Sequence, residues 1–314
     1  MEPLRIGLVG WGTVGSALGE LVERGPLPVS LAWVAVRDPG RERGVPLPDG
    51  VPVAGEPGSL DEVDAVVELA GGIEEPHGWA MGTLGAGLPY VTANKALLAT
   101  HGGELADLAA ARGAALLASA SVGGGTPMLE VVGHLAATGR ITRLRGLLNA
   151  TTTFILSAMA TGRSYADALG AAQAAGYAET DPSFDVDGRD AAQKLAILAW
   201  LAWGAWRPET DVTTDGIVGV AVEPGSVVRL VAEATPGGLR VAPVTLDVAD
   251  PFATAEGVEC VLEVDTDHAG AVTVRGPGAG GAATAGAVYA DLARLARGER
   301  PIIGRSFTRR PVHA

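Results

Sequence analysis

Apolar positions along the chain fall into two rhythms. In the first third, short apolar runs alternate with stretches in which apolar residues recur every three or four positions. Residues 4–9 (LRIGLV), 31–36, 65–70 (AVVELA), 88–92 and 114–118 read as strands, and runs this dense suit parallel strands covered on both faces. A helix is predicted after the first run, ending at Arg24 where Gly25-Pro26 stops it, and another over residues 103–112. Such alternation predicts an α/β architecture, a Rossmann-type doubly wound parallel sheet.

The pattern changes after Ser121. Gly123 to Pro127 reads as a turn and helix start, residues 141–148 as a strand, and Asn149 to Thr153 as the lead into a helix. Ser164 and Asp167 look like a capping box opening a helix that Gly176 closes. A polar loop over 177–189 precedes an apolar helix over 190–203. Residues 227–274 read mostly as strands, 276–281 as a tight loop, and 285–297 as a last helix before an exposed tail from Glu299. This predicts a dinucleotide-binding domain over residues 1–125, completed by 285–314. A second α+β domain over 126–284 would serve substrate binding and dimerisation. The isolated segment 141–148 would suit pairing across a homodimer.

Of 314 residues, 47% are hydrophobic and 19% charged, so a core can be buried. The net charge of −13 argues against nucleic acid or an anionic membrane as partner. The apolar run near 195–206 is too short to span a bilayer, and the N-terminus has no secretory pattern. A soluble, cytoplasmic protein is expected. One cysteine, Cys260, excludes an internal disulfide and reads as a buried small side chain. The five histidines show no ligand spacing.

Gly10, Gly12 and Gly15 fit G-x-G-x-x-G between a strand and a helix. The first permits the turn, the second admits a pyrophosphate, and the third lets helix and strand pack closely. Thr13 and Val14 open a helix whose N-terminus offers N–H groups to the anion. Arg37 takes the place that discriminates cofactors and favours NADP(H), while the adjacent Asp38 keeps NAD(H) in play. Gly71, Gly72, Asn94 and Lys95 stand past the carboxyl ends of predicted parallel strands, where open sheets bind ligands.

The 23 basic residues are 21 Arg and 2 Lys, namely Lys95 and Lys194. Arginine stays protonated at any working pH, whereas lysine can give up its proton. The two retained amines are therefore candidates for proton transfer to one substrate oxygen. Lys194 sits in an apolar helix with Asp190 one turn earlier. Glu179, Asp181, Asp185, Asp187 and Asp190 crowd the preceding loop, without the order of a calcium loop. They suggest a pocket for a cationic group such as an α-ammonium.

These motifs together resemble the homoserine dehydrogenase family over nearly the whole chain. The resemblance rests on GWGTVGS (10–16), VRDP (36–39), TANKALLA (92–99), SVGGGTP (121–127) and NATTTFIL (149–156). It continues through GYAETDPSFDVDGRDAAQKLAIL (176–198) and GPGAGGAATAGAVYADL (276–292). It implies NAD(P)-dependent interconversion of L-homoserine and L-aspartate 4-semialdehyde, on the route to threonine and methionine. It further implies Lys194 as general acid/base and Lys95 near nicotinamide and substrate. Glu179 would hold the substrate amino group, Asp185 and Asp190 would surround the catalytic lysine, Thr151 would line the substrate side, and Gly278 would lie in a loop over the nicotinamide. A sodium ion would use carbonyls of Val122, Gly124 and Thr126. Two departures stand out: Ala150 replaces a usual Gly, and Ser119 stands where the family commonly has a Glu beside sodium. No regulatory domain or fused kinase is expected after the last helix.

The chemistry implied is hydride transfer, with lysine moving the hydroxyl proton. An unperturbed lysine, at about 10.4, is a poor base at neutral pH, so homoserine oxidation is expected to favour alkaline conditions. Two rivals stay open on residues alone. A phosphorylating semialdehyde dehydrogenase would need a cysteine nucleophile, and a non-catalytic dinucleotide-binding protein would not need Lys194.

Overall fold

The structure, a computed structural model, describes residues 2–299. The chain opens with β1 (Leu4–Val9), α1 (Thr13–Arg24), β2 (Val29–Ala35), β3 (Val53–Ala54), β4 (Ala65–Glu68), α2 (Glu74–Gly85), β5 (Tyr90–Thr92), α3 (Lys95–Arg112), β6 (Leu116–Leu117) and α4 (Met128–Thr138). The strands form one parallel sheet in the order β3-β2-β1-β4-β5-β6. Burial explains the dense apolar runs: β4 is covered at every position, and so are the last four residues of β1.

Two helices of this run differ from the sequence reading. α3 starts at Lys95, well before residue 103, because Asn94 caps it: its Oδ1 accepts from the Leu97 N–H at 3.0 Å. α2 was not predicted, since Pro76, Gly78 and Gly82 are poor helix formers. It forms because Ala80, Thr83 and Leu84 bury against the sheet and α3.

The second run comprises β7 (Ile141–Leu147), α5 (Ala150–Ala160), α6 (Tyr165–Ala174), α7 (Ser183–Val186), α8 (Arg189–Trp203), β8 (Val212–Thr214), β9 (Val227–Thr235), β10 (Gly238–Leu246), β11 (Glu259–Thr266) and β12 (Gly270–Pro277). Its sheet runs β12-β11-β7-β9-β10-β8 and is antiparallel except for β8 beside β10. β7 is therefore no isolated segment: β11 and β9 occupy both of its edges, which corrects the expected pairing through residues 141–148. α8, apolar on almost every side, packs on β7, β9 and β10. Ser164 caps α6 as its sequence suggests, its Oγ accepting from the Asp167 N–H at 3.1 Å. The polar loop holds the single turn α7.

α9 (Gly281–Ala296) then returns to α1. It starts earlier than residue 285, and Gly281 lies so close to Thr13 that a Cβ would stand 2.6 Å from the threonine methyl. Ala285, Val288 and Leu292 join Leu18, Ile6 and Leu8 in one core. The described chain thus gathers into two compact units, one running to Gly133 and resuming at Gly280, the other His134–Ala279. Of the tail predicted to be exposed, Glu299 is exposed and residues 300–314 lie outside the described residues. No described helix is long and apolar enough to cross a membrane.

Candidate active site

In the first unit, the turn after β1 is built around its glycines. Gly10 has φ +100°, and a Cβ there would press on the Leu69 carbonyl carbon at 2.7 Å. A Cβ at Gly15 would stand 2.1 Å from the Gly10 carbonyl oxygen. These two glycines serve the packing of the chain itself. Gly12 has open space where a Cβ would be, and α1 begins there with no side-chain cap. Bare N–H groups beside open space suit a pyrophosphate, so Gly12, Thr13 and Val14 fit a dinucleotide.

Arg37 is exposed just past β2. The loop that follows is tied down by Arg43, which donates to the carbonyls of Asp38, Pro39 and Arg41, and by Trp11, whose Nε1 donates to Pro46 O at 3.1 Å.

Glu68, which the sequence reading passed over, organises the next part of this unit. It is 0% exposed at the end of β4. Its Oε1 accepts from the N–H groups of Ala70 (2.8 Å) and Gly71 (2.9 Å), and its Oε2 from the Thr92 hydroxyl (2.7 Å). Thr92 Oγ1 in turn accepts from the Asn94 N–H at 2.9 Å, and Asn94 Nδ2 donates to Gly72 O at 2.7 Å. Gly71 and Gly72, at φ +73° and +87°, take the left-handed turn this demands. One carboxylate therefore sets both strand-end turns and the start of α3, where Lys95 stands.

In the second unit the structure brings Lys194, Asp190, Asp185, Asn149 and Thr151 together. Lys194 Nζ donates to Asp190 Oδ2 and to Leu148 O, each at 2.7 Å. The pair is no solvated surface bridge: the side chains are 16% and 8% exposed. Asn149 caps α5 through Oδ1, while its Nδ2 donates to Asp185 Oδ1 (2.6 Å) and Asp190 Oδ2 (2.8 Å). Burial pushes the Asp185 carboxyl above its usual range, and the Asp190 charge adds to this, against hydrogen bonds from Asn149 and Thr151 and the nearby Lys194 charge. Thr151 Oγ1 donates to Tyr177 O at 2.7 Å, fixing the start of the loop.

The remaining carboxylates lie apart. Glu179, Asp181 and Asp187 are exposed. The Ser183 side chain and the Ser183 N–H, the latter at 3.0 Å, both hydrogen-bond Asp181 and hold its carboxyl below the usual range. Glu179 follows the turn that Gln173 Nε2 fixes by donating to its carbonyl at 3.0 Å. Gly278 packs on Cys260, where a Cβ would meet the cysteine Cβ at 3.0 Å. Cys260 itself is buried, and its thiol faces Gly276 O at 3.5 Å.

At Ser119, just ahead of the Val122, Gly124 and Thr126 carbonyls expected to meet sodium, Oγ donates to Asp291 Oδ1 at 2.6 Å and accepts from Arg294 Nη1 at 3.0 Å. Thr126 O already accepts from the Met128 N–H at 2.7 Å.

The family model described as homoserine dehydrogenase matches residues 127–293, and that described as homoserine dehydrogenase, NAD binding domain, matches residues 10–118. The chain belongs to the homoserine dehydrogenase family. Its relatives include the homoserine dehydrogenase of Mycobacterium tuberculosis H37Rv, 36% identical over 94% of this chain and 73% of that protein. A homoserine dehydrogenase structure from Thiobacillus denitrificans superposes with a TM-score of 0.88 at 33% identity, covering 95% of this chain and 74% of the other. A hyperthermophilic archaeal homoserine dehydrogenase in complex with NADPH gives 0.83 at 29% identity, covering 96% and 99%. The chain is thus an NAD(P)-dependent oxidoreductase of amino-acid biosynthesis that interconverts L-homoserine and L-aspartate 4-semialdehyde, on a Rossmann-type fold with a second mixed-sheet unit. Its homoserine dehydrogenase chemistry uses a nicotinamide dinucleotide and a small-molecule substrate.

Proposed function

We propose that Lys194 is the general acid/base of this homoserine dehydrogenase and that the enzyme prefers NADP(H). The observation that carries the first part is the anchoring of one largely enclosed ammonium by two acceptors, Asp190 and Leu148 O. An ammonium has three protons, so one is left to donate to a substrate oxygen. In reduction it polarises the semialdehyde carbonyl and protonates the forming alkoxide; in oxidation the neutral amine takes the hydroxyl proton. The bound nicotinamide supplies the hydride acceptor or donor. Glu179 holds the substrate α-ammonium, Asp185 and Asp190 surround the lysine, and Thr151 braces the start of the loop that carries Glu179 and Asp185. In the first unit Gly12, Thr13, Val14, Gly71, Gly72 and Asn94, on a turn shaped by Gly10 and Gly15, hold the dinucleotide, with Lys95 next to Asn94 at the start of α3. Cys260, buried behind Gly278, is unsuited to the nucleophile of a phosphorylating dehydrogenase.

The cofactor preference rests on Arg37, an exposed cation on a pinned loop in the place where an arginine accommodates a 2′-phosphate. The enzyme acts as a homodimer. The long β12, at an edge of its sheet, is the strand open to such pairing.

The test is homoserine-dependent reduction of NADP+ and NAD+, followed by absorbance, in the parent and in Arg37→Ala. The parent should show the lower KM for NADP+, and the variant should raise that KM about tenfold, the effect of losing roughly 1.4 kcal/mol, with little change for NAD+. Equal losses with both cofactors would remove Arg37 from phosphate recognition.

A further inference from the structure

Away from the dinucleotide turn, α2 and α3 bring three metal-ligating side chains to one point on the first unit. His77 comes from the first turn of α2, and His101 and Glu104 lie three residues apart on α3. Spacing of three on a helix puts both heads on one face. Glu104 Oε2 stands 3.0 Å from His77 Nε2 and 3.5 Å from His101 Nδ1. One ring nitrogen of each histidine and that carboxylate oxygen all lie within 4.8 Å of one another. No described residue of the catalytic or dinucleotide machinery takes part.

We propose that His77, His101 and Glu104 bind a divalent transition metal, zinc being the ion they suit best. Tetrahedral zinc, with bonds of about 2.0–2.2 Å, keeps its ligand atoms roughly 3.4 Å apart, and the two carboxylate–imidazole separations bracket that value. Two imidazoles and one carboxylate favour zinc, nickel or copper over magnesium and calcium, which take all-oxygen sets. The rings now stack at 4.0 Å between centroids and 20° between planes. Stacked rings aim their lone pairs side by side, so binding requires one ring to swing toward the other's axis. Both rings are partly exposed, at 27% and 31%, which leaves room for that rotation. Water supplies the fourth ligand. The bound ion clamps α2 to α3, the helices that follow the Gly71-Gly72 and Asn94 turns.

The test uses tag-free, full-length protein stripped with a chelator and titrated with zinc and with cobalt(II). The expected result is one equivalent per chain, a dissociation constant of about 1 μM or lower, a raised thermal midpoint, and the visible absorption of four-coordinate cobalt. His101→Ala and, separately, His77→Gln should each weaken binding at least tenfold while leaving homoserine oxidation in metal-free buffer unchanged. His77→Gln keeps the bulk at the helix contact, so it carries the test where His101→Ala folds poorly. Binding that persists undiminished in a folded variant, or no stoichiometric binding in the parent, overturns the proposal.

Discussion

Two hydrogen bonds hold the Lys194 ammonium, and the acid that accepts one of them is itself held by Asn149. Removing titration while keeping charge isolates the proton-transfer role. Lys194→Arg retains a cation beside Asp190 but cannot release a proton at working pH. It should lower kcat by about 10²–10⁴-fold with the KM for the dinucleotide little changed. Steady-state kinetics with both substrates varied check this, and turnover near that of the parent would eliminate Lys194 as acid/base. The Lys194–Asp190 pair was legible because residues four apart on one helix share a face. Leu148 was not, since a backbone carbonyl acts through its position and carries no residue-type signal. The loop acids divide for a similar reason. Asp185 and Asp190 meet through Asn149, whereas Asp181 is captured by its own turn.

At the scale of elements, β4 ends in a buried carboxylate with three donors around it. Glu68→Gln keeps the shape but brings an amide NH₂ that must face either two N–H groups or a hydroxyl already accepting from Asn94. A lost buried hydrogen bond of this kind costs about 1–3 kcal/mol. The variant should melt a few degrees lower and show a raised KM for the dinucleotide, with kcat less affected. An unchanged cofactor KM at a lowered melting temperature would reduce Glu68 to a purely structural part. Glu68 escaped the sequence reading because it sits inside an apolar run, where one polar residue looks like noise. The glycine turn, β1, α1 and α8 were legible because their signals are local. β3 and β8, two and three residues long, carry too little periodicity to be seen. β7 was misjudged because its partners β9 and β11 arrive much later in the chain, and local pattern says nothing of them.

For the whole molecule, acid stability turns on the join between α9 and the segment at Ser119. Burial pushes the Asp291 carboxyl up to about 6, even though Ser119 and Arg294 both donate to it. The folded chain therefore holds this proton more tightly than the unfolded chain, where the ordinary value is 3.8. Below about pH 4 both states are protonated and nothing is lost. Between about 4 and 6 the folded state loses stability as pH rises, by about 3 kcal/mol in all, and above that the loss is complete. Asp291→Asn should remove this contribution. The difference in unfolding free energy between parent and variant, from denaturant titrations at several pH values, should slope across that window and flatten above it. A difference independent of pH would contradict the assignment.

The first unit is also completed by a helix that follows the second unit in the chain. Translation proceeds from the amino end, so the groove of α1 that Val288 and Leu292 fill stays bare while all of His134–Ala279 is being synthesised. Until the final helix emerges, a nascent chain carries an uncovered oily stripe centred on Leu18, a natural handhold for chaperones and an invitation to proteases.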